Sequence, residues 1–243
     1  MKRDNQEKDI GFSIVVPCYN EEKNIPILVH RFREAISSNN IKIVLVNNGS
    51  TDESENIIKD LENQNDFLMS VNIPKNIGYG HGIITGLKAC DTEFIGWTHA
   101  DLQCKPEDVM KAIKVIEENN YNQKLYVKGL RRGRPLMDTF FTLGMSMFET
   151  FYFQKILFDI NAQPNIFSKK FFQNWINPPD DFSLDLYSLY LAKINNISIR
   201  RFNVTFPPRI HGESKWNTGF QSKIKFIKRT LSYSVNLKKD LRR

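Results

Sequence analysis

At 243 residues and 41% hydrophobic content the chain can bury the core of one large α/β domain, and without an internal repeat or low-complexity tract it is not a scaffold. Its three cysteines, Cys18, Cys90 and Cys104, have neither framework nor metal-like spacing, which excludes a disulfide-built fold and points to a reducing cytoplasm. The net charge of +7 belongs to the end of the chain: residues 200–243 hold twelve Lys or Arg against Glu213 and Asp240, a net of +10, leaving about −3 for residues 1–199, so a whole-domain nucleic-acid footprint is excluded.

Residues 1–10 are charged and polar, which predicts no signal peptide. The first structured unit is Ile14-Val15-Val16-Pro17-Cys18-Tyr19-Asn20-Glu21-Glu22, an apolar run that stops at a proline and opens into polar residues before a helical pattern. Ile43 to Val46 repeats the plan, running through Asn47-Asn48-Gly49-Ser50-Thr51-Asp52 into a capped helix. Three glycines in Asn76-Ile77-Gly78-Tyr79-Gly80-His81-Gly82 then precede a third helix. The fourth run, Phe94 to Trp97, ends in Thr98-His99-Ala100-Asp101-Leu102-Gln103 before a proline-led helix start at Pro106. Each unit sets polar side chains at the carboxyl edge of a parallel sheet, where open α/β folds bind ligands.

The patterns predict strands near 12–17, 41–47, 67–73, 93–98, 124–129, 164–168 and 198–206. They predict helices near 24–38, 53–64, 80–90, 106–119, 138–158, 169–176, 184–194 and 219–236. Strand and helix alternate through residue 119, so the fold class is α/β with a mostly parallel central sheet flanked by helices. Residues 140–158 are rich in Phe and Met, yet Glu149, Gln154 and Lys155 interrupt them short of the roughly 20 apolar residues of a membrane span. They read first as a helix capping the sheet, with an interfacial or dimer-forming helix as the alternative. In the tail, Phe220, Ile224, Ile227 and Leu231 recur at helical spacing beside Lys223, Lys225, Lys228 and Arg229. Such an amphipathic basic helix either packs its stripe on the domain or lies on an anionic membrane surface.

The four ordered motifs resemble those of the family 2 glycosyltransferases, inverting enzymes with the Rossmann-like GT-A fold that use nucleotide-diphosphate sugars. The resemblance runs from about residue 12 to 215 and divides the chain into a GT-A domain, 1–215, and a basic C-terminal helix or tail, 216–243. Ala100-Asp101-Leu102-Gln103 and Arg209-Ile210-His211-Gly212-Glu213-Ser214-Lys215 look most like the polyprenyl- or dolichyl-phosphate sugar transferases. The resemblance implies that Pro17, Tyr19, Asn20, Glu21, Asn48, Asp52 and Gly78 bind the nucleotide sugar with Ala100, Asp101, Gln103, Arg131 and Arg132. A divalent metal, Mn2+ or Mg2+, is implied on Asp101 and Gln103, and those relatives usually carry an acid where this chain has His99. Imidazole suits magnesium poorly, so His99 either ligates a softer ion such as manganese or only hydrogen-bonds the strand end.

A departing diphosphate accumulates negative charge, which asks for a metal and fixed cations rather than a nucleophile. Arg131, Arg132, Arg209 and Lys215 are the candidate clamp, the ordered signature favouring the last two. For deprotonating a hydroxyl acceptor the candidates are Asp181 and Asp185 in Asp180-Asp181-Phe182-Ser183-Leu184-Asp185. Asp52 and Asp185 have competing roles as helix-start charges. The expected activity is hexosyl transfer to a polyprenyl phosphate or another lipid-linked or glycan acceptor, in polysaccharide biosynthesis, by a cytoplasmic protein peripheral on the inner membrane face. The alternatives are a hydroxyl-acceptor transferase of surface polysaccharide synthesis and a degenerate nucleotide-sugar-binding protein. A nucleotidyltransferase ranks low, because Pro17-Cys18-Tyr19-Asn20 stands where that class carries a glycine-rich basic loop. No nucleic-acid partner is expected.

Overall fold

A computed structural model describes residues 10–133, 136–207 and 220–240. The chain runs β1 (Phe12–Cys18), α1 (Ile25–Ala35), β2 (Ile41–Asn48), α2 (Ser54–Glu62), β3 (Leu68–Ile73), α3 (Tyr79–Ala89), β4 (Phe94–Trp97) and α4 (Pro106–Glu118). It continues through β5 (Leu125–Arg132), α5 (Leu136–Phe153), β6 (Asn165–Ser168), α6 (Lys169–Gln173), α7 (Leu184–Ile194), β7 (Ser198–Thr205) and α8 (Phe220–Asp240).

The seven strands form one sheet in the order β3-β2-β1-β4-β6-β5-β7. Pairing is parallel from β3 through β4 and again between β5 and β7, and β6 runs antiparallel to both its neighbours. The sheet is covered on both faces, so its central strands are mostly apolar, with Ser13, Lys128 and Asn165 buried among them. Phe12, Ile14, Val16 and Cys18 of β1 point into a core shared with α1, α2 and α4, while Val15 points into a second core with α3, α6 and α7. From β1 the chain winds outward through β2 to β3, then returns to place β4 on the other side of β1. That reversal opens a crevice beyond the carboxyl ends of β1 and β4.

Several helices end differently from the sequence pattern: α1 stops at Ala35 instead of 38 and α6 at Gln173 instead of 176. α5 stops at Phe153 instead of continuing to 158, because Gln154 takes a left-handed backbone (φ 54°) and the Thr150 hydroxyl bonds both N–H and C=O of Leu157. α8 extends to Asp240 instead of 236.

α5 is also inverted relative to a core helix. Phe140 and Phe151 are 72% and 77% exposed, with Leu143 and Met147 also in solvent, whereas Ser146 and Glu149 are buried. The buried carboxylate is explained by α8: Ser234 donates to Glu149 Oε1 at 2.7 Å. Lys238 of α8 donates to the Tyr152 carbonyl, and Leu237 enters the core. Of the predicted tail stripe, Ile224 is exposed while Ile227 and Leu231 are half-buried; the Phe220 side chain lies outside the described residues. No helix among the described residues is long and apolar enough to cross a membrane.

Candidate functional site

The crevice at the β1–β4 reversal is a cleft of about 770 Å³. Its walls come from the loops after β1 (Pro17 to Glu21) and β4 (His99, Ala100, Asp101), from Asn48 at the end of β2, from Asn76 to Tyr79, and from Asp181, Phe182 and Arg229. All four sequence motifs therefore meet at one place.

The loops after β1 and β2 are laced together. Thr51 N–H donates to Asn20 Oδ1 at 2.8 Å, Asn20 N–H to Ser50 Oγ at 3.1 Å, and Glu21 N–H to Ser54 Oγ at 2.9 Å. Asn20 holds a left-handed backbone (φ 56°), which an Asx side chain tolerates. Asp52 accepts from the N–H groups of Ser54 and Glu22 at 3.0 and 3.2 Å. Burial opposes ionisation of Asp52, but these bonds outweigh it and hold its carboxyl below the ordinary value. It does not line the cleft: the structure places it as a clasp at the start of α2.

Gly78 and Gly80 serve a close approach. A side-chain carbon on Gly78 would sit 2.2 Å from the Asp180 carbonyl oxygen, and one on Gly80 2.3 Å from that of Pro179. The glycine motif thus admits the 179–181 loop against α3 and brings Asp181 and Phe182 into the cleft, where Phe182 stacks on Tyr79 at 4.4 Å between centroids. Asn48 donates to the Gly78 carbonyl at 3.0 Å and fastens the same segment to β2.

In the acidic motif Leu102 adopts φ 60° while its side chain is buried in the core beneath the sheet. For a leucine this backbone costs on the order of 1–2 kcal/mol, held by the buried side chain. The turn that results closes with Gln103 N–H donating to Asp101 Oδ1 at 3.1 Å, and Asp101 is 6% exposed. Gln103 does not line the cleft; its amide N–H donates to the Pro207 carbonyl at 2.8 Å. His99 lines the cleft beside Tyr79, ring centroids 5.6 Å apart. No group of three His, Cys, Asp or Glu that could hold a metal ion converges among the described residues; of the acidic motif, the Asp101 carboxylate and the His99 imidazole line the cleft. That pair fits a single ion completed by ligand oxygens, and manganese better than magnesium. Burial pushes the thiols of Cys18 and Cys104 up, which keeps both protonated and non-nucleophilic.

Of the predicted clamp, Arg131 is occupied by Asp159, its Nε at 2.7 Å and NH2 at 2.5 Å from Oδ1. Burial opposes the Asp159 charge, yet Arg131 more than offsets this and lowers that carboxyl's pKa. Arg132 donates to Asn203 Oδ1 at 2.9 Å, and neither arginine lines the cleft. Arg209 and Lys215 lie outside the described residues.

The two candidate bases separate. Asp181 lines the cleft, its Oδ1 accepting from Ser183 N–H at 2.8 Å and its Oδ2 lying 3.6 Å from Arg229 Nε. Asp185, on the first turn of α7, is 2% exposed behind the wall. Gln163 Nε2 donates to its Oδ1 at 3.1 Å, and the same amide donates to the Tyr79 hydroxyl. The Lys128 ammonium stands 3.9 Å from Asp185, donating to Ala162 O at 2.7 Å and Asn165 Oδ1 at 2.5 Å. Burial raises Asp185 and lowers Lys128, and each charge partly holds the other in its ionised form.

Sequence reasoning did not mark Lys128, Gln163 and Asn165 around the buried Asp185, nor Phe182 and Arg229 on the cleft wall. A lysine in an apolar strand run was a visible signal for the first; nothing local marked the others.

A model of glycosyl transferase family 2 matches residues 13–177. Over 115 residues the chain is 32% identical to the undecaprenyl-phosphate 4-deoxy-4-formamido-L-arabinose transferase of Yersinia enterocolitica, a match covering 46% of this chain and 35% of that protein. A Pseudomonas fluorescens protein of the same name is 34% identical over 108 residues, 43% of this chain and 32% of its own. The match thus spans about a third of these relatives' length. Among solved structures, Mycobacterium tuberculosis glucosyl-3-phosphoglycerate synthase with Mn2+, UDP-glucose and phosphoglyceric acid superposes with a TM-score of 0.68 at 16% identity, covering 93% of this chain and 80% of that one. Staphylococcus aureus TarS 1-349 with UDP-GlcNAc gives 0.62 at 21% identity, covering 87% and 62%. At these identities the likeness is one of fold, the GT-A arrangement.

Proposed function

The chain belongs to glycosyl transferase family 2, and on that premise we propose that it transfers a sugar, with inversion, from a nucleotide-diphosphate sugar to a lipid-linked acceptor, a polyprenyl phosphate first. The observation that carries the reading is the cleft at the β1–β4 reversal, where the polar loops of four motifs converge on Asp101 and His99. The undecaprenyl-phosphate transferases it resembles favour the lipid phosphate as acceptor.

In this reading the laced loops of Asn20 and Glu21 hold the nucleoside, and Asp101 with His99 faces the diphosphate. A divalent ion, when bound there, supplies positive charge to the leaving diphosphate, held by Asp101 and His99. The acceptor oxygen attacks the anomeric carbon from the face opposite the diphosphate; the new carbon–oxygen bond forms as the bond to phosphate breaks, and the electron pair leaves on the nucleoside diphosphate. A phosphate acceptor arrives as an anion and gives up no proton. A hydroxyl acceptor must lose one, and Asp181 is the carboxylate placed in the cleft to take it, which keeps hydroxyl transfer as the second reading. The exposed aromatic face of α5 supports a lipid-facing side for the acceptor.

The test is release of nucleoside diphosphate from UDP-, GDP- and dTDP-sugars with and without a polyprenyl phosphate. Acceptor-dependent release from one donor is expected, and its absence across all three donors overturns the reading.

A further inference from the structure

We infer that Arg229 of the C-terminal helix is a phosphate-binding residue of the cleft, held by Asp181 until a phosphate group takes its place. The inference rests on the donor-cleft reading above. Arg229 is the only Lys or Arg among the described residues that line the cleft. It comes from α8, more than a hundred residues beyond the acidic motif, and reaches the cavity wall where the 179–181 loop enters. Its Nε lies 3.6 Å from Asp181 Oδ2, and its guanidinium stands over the Phe182 ring at 5.5 Å.

The other arginines near the site are committed differently. Arg131 grips Asp159 through two side-chain nitrogens and its own N–H, with both side chains about nine-tenths buried. Such a pair is not exchanged for a ligand without stranding a buried carboxylate. The Arg229–Asp181 pair is the opposite case: Nε and Oδ2 stand 3.6 Å apart, and the side chains are 33% and 39% exposed. A solvent-exposed pair of that length is weak. A phosphate offers more charge and several acceptor oxygens to the guanidinium fork, so it outcompetes a single carboxylate. Phe182, stacked on Tyr79, gives the guanidinium a flat surface on which to turn without leaving the cleft.

Two consequences follow. A cation joins an acidic motif with only one cleft-facing carboxylate, where an ion held by Asp101 and His99 is short of protein oxygens. The exchange also frees Asp181 when phosphate binds, and it makes α8 part of the site as well as a basic surface.

The phosphate has two sources, the donor's diphosphate and an acceptor's monophosphate, and the test separates them. The full chain, in buffer containing manganese, is titrated calorimetrically with UDP, GDP and dTDP in turn, with the matching nucleoside, and with geranyl phosphate. For the diphosphate that the wild type binds, Arg229→Ala is expected to weaken affinity tenfold or more with nucleoside affinity unchanged, and Arg229→Lys to recover part of it. Asp181→Asn, which removes the competitor, is expected to tighten it several-fold. A loss confined to geranyl phosphate assigns Arg229 to the acceptor and upholds the inference in that form. Unchanged affinity for both probes in Arg229→Ala overturns it. So does weaker phosphate binding in Asp181→Asn, the mark of a pair that merely braces the wall; that arm decides the matter even if Arg229→Ala does not fold. A wild-type protein that binds no diphosphate and no geranyl phosphate refutes the donor-cleft reading itself.

Discussion

Lys128 and Asp185 meet inside the protein, Nζ 3.9 Å from Oδ1, with 0% and 2% of their side chains exposed. An amine on β5 and a carboxylate on the first turn of α7 thereby tie the strand to the helix whose preceding loop carries Asp181 and Phe182. Asn165 and Gln163 complete the network, so the charges are paired and hydrogen-bonded.

Breaking one half of this pair is expected to cost far more than replacing both. Lys128→Met leaves a buried carboxylate and lowers unfolding free energy by about 3–5 kcal/mol, whereas Lys128→Met with Asp185→Asn regains a large part of it. Urea unfolding of the two single variants and the double variant measures the coupling. Additive losses would show that the two groups do not interact.

Glu149 makes stability depend on pH. Burial pushes its carboxyl up to about 7, against the hydrogen bond from Ser234 that favours the charge. The folded state therefore binds a proton that the unfolded chain releases near the ordinary glutamate value of about 4.5. Its contribution is fully present below pH 4.5 and is lost as pH rises to 7. Glu149→Gln is expected to remove that loss, making the variant more stable than wild type by about 1–3 kcal/mol at pH 8 with no advantage at pH 4. Urea midpoints at the two pH values check the sign.

The acidic motif gives a metal prediction. Asp101→Asn should lower transfer by two or more orders of magnitude, and His99→Asp should preserve transfer while shifting preference from manganese toward magnesium. Rates in each metal, together with manganese affinity by electron paramagnetic resonance, test both. Near-normal turnover of Asp101→Asn would remove Asp101 from the site.

Asp181 discriminates the acceptor. If a hydroxyl attacks, Asp181→Asn should reduce kcat by roughly 10²–10⁴. If a phosphate attacks, turnover should change by less than about tenfold, since there is no proton to remove. Single-turnover rates with a saturating donor decide between the two.

The face of α5 predicts membrane contact. Phe140→Ser with Phe151→Ser should weaken binding to vesicles containing anionic lipid by about tenfold or more, through lost burial of two aromatic side chains, without lowering the melting temperature. Equal sedimentation with vesicles before and after substitution would count against it.

The sequence by itself determined the seven strands, the α/β class and the four loops that form the cleft, because each rests on local chemistry: apolar runs bounded by Pro17, by Asn47 to Asp52 and by Thr98 to Gln103. It also marked Asp101 and the departure at His99. What it left open was which polar side chains face the cleft, since that depends on partners far along the chain. Asp181 and Asp185, four residues apart, look alike in sequence; the approach of Pro179 and Asp180 to Gly80 and Gly78 turns the first into the cleft, and Lys128 from a distant strand draws the second inside. Arg131 looked like a cation for phosphate until the fold set Asp159 against it. Arg229 looked like one more charge of a basic tail until α8 carried it to Asp181. Periodicity is written in neighbouring residues, but the Coulomb and desolvation energies that assign a charged side chain its role are sums over groups that only the tertiary structure brings within a few ångströms of each other.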